Sequence, residues 1–211
     1  MRVTAETKQA TRQAILETAQ KLFSQQGFEA ATTRDIARAA GIGIGTLFNY
    51  FSTKEAIAHC LISEAYELAV QKIDLKFRGG EAESLTFEEE LFAHIAAALR
   101  KLKPFRKYLT AVLDAELSPL AAGQNGDLVT FRTAHLETVG QIATRHGQHE
   151  LLSTVALQLY WTLYLGVLAF WSQDASPRQE DTLALLDQSL AMFVGWLATH
   201  ANPAEPQKEG G

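Results

Sequence analysis

Cysteine is almost absent from this chain. Cys60 is the one instance in 211 residues, so no intrachain disulfide can form and a reducing, cytoplasmic setting is expected. An apolar run is missing from the polar N-terminus, and no secretory signal is expected there. Strand-type alternation and internal repeats are also lacking. Positive charge is in deficit: 19 Lys and Arg face 24 Asp and Glu, a net of −5. Spread evenly, that balance argues against a nucleic-acid partner. Converging catalytic groups are missing as well. The six histidines are scattered, and no Ser, Cys and His arrangement suggests a nucleophile. Asp114 and Glu116, two apart on a helix, diverge and make poor acid–base partners. An enzyme is therefore not expected.

Cofactors and metals fare no better. Gly41-x-Gly43-x-Gly45 follows a helix rather than a strand and has the wrong third spacing for a dinucleotide loop. His146 and His149 flank a glycine turn with no cysteine or carboxylate cluster, and read as solvated loop rather than as metal ligands. Cys60, alone on an apolar helix face, reads as core before it reads as an oxidant sensor. No cofactor, no metal and no catalytic residue are assigned.

One long stretch lacks charge altogether. Leu151 to Gln173 is long enough to span a bilayer. It contains Ser153, Thr154, Gln158, Thr162 and Gln173, however, and no Lys or Arg cluster flanks it. A helix buried on most sides of a soluble protein fits better, so no membrane contact is expected. A membrane-attached sensor is the alternative.

What is present is apolar residues at helical spacing. A content of 47% hydrophobic residues suffices for a substantial core. Charge is also divided. Residues 1–60 carry seven bases against five acids, while the rest carries twelve against nineteen. A mildly basic head on an acidic body suits a small DNA reader joined to a domain with another task.

The head holds the densest information. Thr32 is a good N-cap for a short helix whose apolar face is Ile36, Ala37 and Ala40, and Gly41 can take the positive φ that ends it. A second short helix sets Leu47 and Phe51 four apart for packing. Thr46, Asn49, Tyr50 and Lys54 stay available outward. Two short helices about a glycine turn make a helix-turn-helix, whose second helix enters the DNA major groove.

The remainder reads as helix throughout, and the expected fold is all-α with about nine helices. A first helix covers about Thr7 to Gln26, with Ile15, Ala19, Leu22 and Phe23 buried and Gly27 as its stop. A long one starts near Thr53 and runs to about Phe77, with Ile57, Cys60, Leu61, Ala65 and Leu68 inward. Further helices cover Phe87 to Lys103, Phe105 to Leu117 after Pro104, Asp127 to His146, His149 to Ser172 and Pro177 to His200. Loops fall at Gly79–Ser84 and Ser118–Gly126. The last two helices are apolar on more faces than one core needs. Two copies packing them as a four-helix bundle, about 149–172 and 177–200 from each, predict a homodimer.

The head closely resembles the TetR family of bacterial transcriptional regulators. The resemblance is carried by Ile15-Leu16-Glu17-Thr18-Ala19 through Leu22-Phe23, then Gly27 to Ala37, Ala40-Gly41-Ile42, Gly45 to Phe51 and Lys54-Glu55-Ala56. It implies an N-terminal three-helix DNA-binding domain over 1–52 and a larger helical ligand-binding and dimerisation domain over 53–201. A polar tail, 202–211, is expected to be disordered. It further implies a homodimer on a palindromic double-stranded DNA operator, released by a small-molecule effector, and more a repressor than an activator. A regulator without a small-molecule ligand is the alternative.

By motif position, Thr33, Thr46, Tyr50 and Lys54 look like phosphate-facing residues. Arg34, Ile44, Gly45, Phe48 and Asn49 sit where the family approaches base edges or sugars. This chain departs from the family at Gly43-Ile44-Gly45, which replaces the polar start common in the recognition helix. No side chain from Gly41 to Thr53 is charged. Readout is therefore expected to rest on backbone N–H groups, on Ile44 and Phe48 against thymine methyls, and on Arg34. Phe92, Tyr108, Phe131, Trp161 and Tyr164 fall on helices that enclose the family's effector cavity, where His135 and Gln158 can add polar contacts. A mostly hydrophobic effector is expected.

Overall fold

The computed structural model describes residues 4–76, 85–109 and 126–200. Of these, the residues within 1–69 and 100–132 form one compact unit, and those within 70–99 and 133–211 form another. Among the described residues every regular element is helical, with eight α-helices and short 3₁₀ turns. The expected helix from Phe105 to Leu117, with Asp114 and Glu116, lies mostly outside the described residues, as does the tail.

The first unit opens with α1 (Ala5–Gln26), started by the Thr4 hydroxyl, which accepts the Thr7 N–H. It buries Ile15, Leu16, Ala19 and Phe23, and Gly27 at φ 88° ends it. The expected stripe held except that Leu16 goes fully inside and Leu22 only half. Thr32 then caps α2 (Thr33–Ala39) with a complete capping box: its hydroxyl accepts the Asp35 N–H, and the Asp35 carboxylate accepts the Thr32 N–H. Gly41 at φ 69° turns the chain. The short α3 (Ile44–Phe48) follows, with Leu47 and then Phe51 buried against it. Thr53 caps α4 (Lys54–Lys76) by accepting the Ala56 N–H. Ile57, Cys60 and Leu61 are buried as their spacing predicts, whereas Leu68 stands in solvent. The residues from Arg100 onward return to this unit, where a 3₁₀ turn, Lys103–Tyr108, carries Phe105 and Tyr108 inward.

The second unit holds most of α5 (Phe87–Leu102), whose start is a Thr86–Glu89 capping box. It also holds α6 (Gly126–Arg145) from Thr133 on, α7 (Thr154–Gln173) and α8 (Glu180–His200). The sequence predicts one helix from His149. Instead a 3₁₀ turn, His149–Leu151, is broken off because Ser153 takes an extended conformation and caps α7 through the Ala156 N–H. Both α7 and the Pro177–His200 segment are long and apolar enough to cross a membrane by length and composition. The apolar bulk of α7 is used inside its own unit: Tyr160, Trp161, Tyr164, Leu168 and Trp171 are buried. Burial of Leu168 alone contributes about 1.5–3 kcal/mol.

The link from α7 to α8 is unusual. Arg178 and Gln179 both sit at positive φ, 54° and 63°. Asp174 holds this turn, accepting the Ser176 N–H at 2.7 Å, the Thr182 N–H at 3.0 Å and the Thr182 hydroxyl. These bonds, from Ser176 first and then Thr182, hold the Asp174 carboxyl well below the usual range.

Candidate DNA interface and buried pocket

The helix-turn-helix is positioned from behind by charge and aromatic contacts. Arg12 of α1 donates to Glu64 of α4 at 2.8 Å, also reaches the Cys60 sulfur, and lies 5.5 Å over the Phe51 ring. Phe23, Phe28 and Tyr108 pack as a trio with ring centroids 5.1–5.4 Å apart. Lys54 closes the set, donating to the Phe28 carbonyl at 2.7 Å with its ammonium 4.1 Å from the Phe28 ring. These contacts fix where α2 and α3 emerge.

In front, α3 is uncharged and open. Ile44 is 38% exposed and Phe48 50%, both large for apolar side chains left in water. Gly45, Thr46 and Asn49 are exposed alongside them, and Tyr50 is half-buried. Gly43 supplies no side-chain cap, so backbone N–H groups at the start of α3 stay open to an outside acceptor. Arg34 is exposed in the first turn of α2, and Thr33 is half-buried beside it.

In the second unit a narrow pocket lies among α5, α7 and α8. Ile95, Tyr160, Leu163, Tyr164, Leu190 and Phe193 are among its walls, and its volume of about 10 Å³ holds one water at most. Behind it His135 meets the Tyr160 hydroxyl at 3.0 Å and stacks on Tyr164 at 3.9 Å. Burial, with His94 adding to it, pushes the His135 imidazole down to about 3, so the ring is neutral at physiological pH. Burial likewise raises both tyrosine phenols.

Two family models match the chain. Residues 15–60 fit the family model described as bacterial regulatory proteins, tetR family. Residues 91–205 fit the one described as tetracyclin repressor-like, C-terminal domain. The chain belongs to the TetR family. It is a transcriptional regulator with a DNA-binding helix-turn-helix. The uncharacterized HTH-type regulator YhgD of Bacillus subtilis is 24% identical over 177 residues, covering 81% of this chain and 88% of YhgD. A TetR regulator from Rhodococcus sp. RHA1 shares the fold with a TM-score of 0.62 at 20% identity, over 90% of this chain and 98% of that one. Thermus thermophilus FadR, solved with lauroyl-CoA, gives 0.60 at 21% identity, over 95% of this chain and 100% of its own.

On this TetR chain, Arg34, Ile44, Gly45, Thr46, Phe48 and Asn49 are brought together as exposed groups on α2 and α3, with Thr33 and Tyr50 at their edge. Lys54 differs. It was read as an outward phosphate anchor, but its ammonium is drawn onto Phe28 and the side chain is half-buried. The residues expected around an effector separate further. Tyr164 lines the pocket, and His135 and Trp161 pack against it. Phe92 is half-buried and is not a wall residue. Gln158 is exposed on α7, bonded to Thr162. Tyr108 belongs to the DNA-reading unit, because the chain returns there after α5. The Phe131 side chain lies outside the described residues.

Two features escaped the sequence reading. Leu186, Leu190 and Phe193, on one of the two helices expected to pack between copies, wall the pocket. Glu90 is fully buried, accepts a bond from the Arg145 Nε at 3.0 Å and lies 2.6 Å from the His146 Nε2. His146 is thus engaged in the fold rather than solvated. Only the Glu-Glu-Glu run at the start of α5, with one member on the apolar side, hinted at it.

Proposed function

We propose that this TetR chain is a cytoplasmic repressor that binds a palindromic operator as a homodimer and lets go of it when a small, mostly hydrophobic effector binds. The observation that carries the reading is the open, uncharged face of α3, with Ile44 and Phe48 left in water on a firmly braced helix-turn-helix. Such a face suits the major groove, where thymine methyls offer apolar partners. Thr33, Thr46 and Tyr50 serve the phosphates, and Arg34, Gly45 and Asn49 the base edges and sugars. The effector reading draws on the pocket among α5, α7 and α8, and on the lauroyl-CoA held by FadR of the same fold.

Selection of bound DNA from a random pool tests the reading. A two-fold symmetric consensus is expected, and no consensus overturns it. A second reading, a regulator whose larger unit only dimerises, draws on the narrowness of the pocket. Operator binding that no small molecule weakens, in a screen of apolar compounds, is the result that favours it.

A further inference from the structure

One wall residue of the pocket carries a group that a finished core avoids. Tyr164 is buried, and its hydroxyl has no hydrogen-bond partner among the described residues. Buried O–H groups without partners are rare because they give up hydration and gain nothing in return. The adjacent Tyr160 hydroxyl is already engaged by His135. One donor therefore remains unused on a wall whose other members, Tyr160 and Ser189 apart, are the apolar Ile95, Leu163, Val167, Leu186, Leu190 and Phe193.

Charge is equally telling. Ser189 is the one polar wall residue besides the two tyrosines, and no charged side chain is found among the described walls. The neutral His135 behind them supplies no cation. A carboxylate or phosphate placed here loses its hydration without meeting an opposite charge, which is strongly unfavourable. A neutral acceptor such as a carbonyl gains the Tyr164 O–H at no such cost.

Resting on the reading of this unit as the effector domain, we infer that the pocket takes an uncharged, mostly apolar molecule whose hydrogen-bond acceptor meets the Tyr164 hydroxyl. Free fatty acids and acyl-CoA thioesters, with their ionised groups, are the poorer fit. The pocket is too narrow for such a molecule as it stands. Entry displaces wall side chains, with Leu163 and Ser189, both half-buried, nearest to solvent. Binding therefore changes how α7 packs on α8.

Isosteric probes separate charge from shape. The full chain is titrated with methyl benzoate and ethyl octanoate, and in parallel with benzoate, octanoate and octanoyl-CoA. Thermal unfolding and tryptophan fluorescence report binding. At least one ester is expected to raise the unfolding midpoint with concentration, and the charged probes are not. Tyr164→Phe, which deletes only the hydroxyl, is expected to weaken ester binding about tenfold. Without ligand, this variant should be at least as stable as the parent, since an unpartnered hydroxyl is lost. Tighter binding of a carboxylate or of octanoyl-CoA, binding of no ester, ester binding indifferent to Tyr164→Phe, or a less stable unliganded variant each overturns the inference. Operator selection with the same protein keeps two failures apart: a consensus without ester binding sinks only the ligand class, whereas no consensus sinks the regulator reading beneath it.

Discussion

Lys54 and Asp174 are polar side chains whose effects lie in what they hold rather than in what they could contact outside. The Lys54 ammonium is 2.7 Å from the Phe28 carbonyl and 4.1 Å from its ring. A charge-assisted hydrogen bond and a cation–π contact together predict that Lys54→Ala destabilises the protein by about 1–3 kcal/mol, read from denaturant unfolding. The salt dependence of operator binding should stay unchanged. A slope reduced by about one would mean that a remaining N–H of Lys54 also reaches a phosphate. Asp174 gives a pH-dependent counterpart. Its folded carboxyl titrates below the ordinary value near 3.9, so the stability it adds is full above that value and fades as pH falls below it. Asp174→Asn should lower the unfolding midpoint at pH 7, and the gap from the parent protein should narrow progressively as the pH falls below about 4. A gap that stays constant with pH would show that the carboxylate charge is not what holds the turn.

Elements were legible where a local rule decides them. Thr32, Thr53, Gly27 and Gly41 act as their residue types require, because capping and positive φ depend on a few neighbouring atoms. Periodicity also told which face of α1 goes inside, and that of α4 as far as Leu61, while Leu68 on the same stripe stands in solvent. It could not tell which neighbour that face meets, since any apolar partner satisfies a stripe. Tyr108 thus joined Phe23 and Phe28 rather than the pocket, and Leu186, Leu190 and Phe193 faced the pocket rather than a partner. Long-range polar pairs such as Glu90 with Arg145, or Lys54 with Phe28, leave no periodic trace. The α3 face belongs to the legible class, and it carries a prediction. Replacing thymine by uracil in the selected half-site removes one methyl and leaves every base-edge hydrogen bond intact. At the positions Ile44 and Phe48 cover, binding should weaken about fourfold per methyl. Ile44→Ala should bind thymine and uracil alike at the position Ile44 is proposed to cover, and Phe48→Ala at its own. Sensitivity to uracil that survives both Ile44→Ala and Phe48→Ala would move the methyl contact to another residue.

For the whole molecule, the outward face of the α7–α8 pair decides whether one chain is the working unit. Val155 is 66% exposed and Met192 69%, with Phe170 and Leu185 also in solvent. On α7 the exposed face runs through Val155, Thr162, Gly166 and Phe170, and on α8 through Leu185, Gln188, Met192 and Gly195. None of these is charged, and the two glycines let a second backbone come close. Between Val155 and Phe170 and between Leu185 and Gly195 this face itself carries no charge, the exposed acids of α8 being Glu180 and Asp181 at its start and Asp187 to one side. An apolar face of that length is rarely left to water. A second copy packing the same pair would make a self-complementary four-helix bundle and cover these residues. Met192→Asp places a charge at the centre of that face while leaving the buried side of α8 untouched. Sedimentation should then shift from dimer to monomer with the helical signal retained. Operator affinity should fall much more on a two-fold symmetric site than on an isolated half-site, because only the dimer gains from binding both halves at once. A variant that stays dimeric would place the contact between copies elsewhere on the chain.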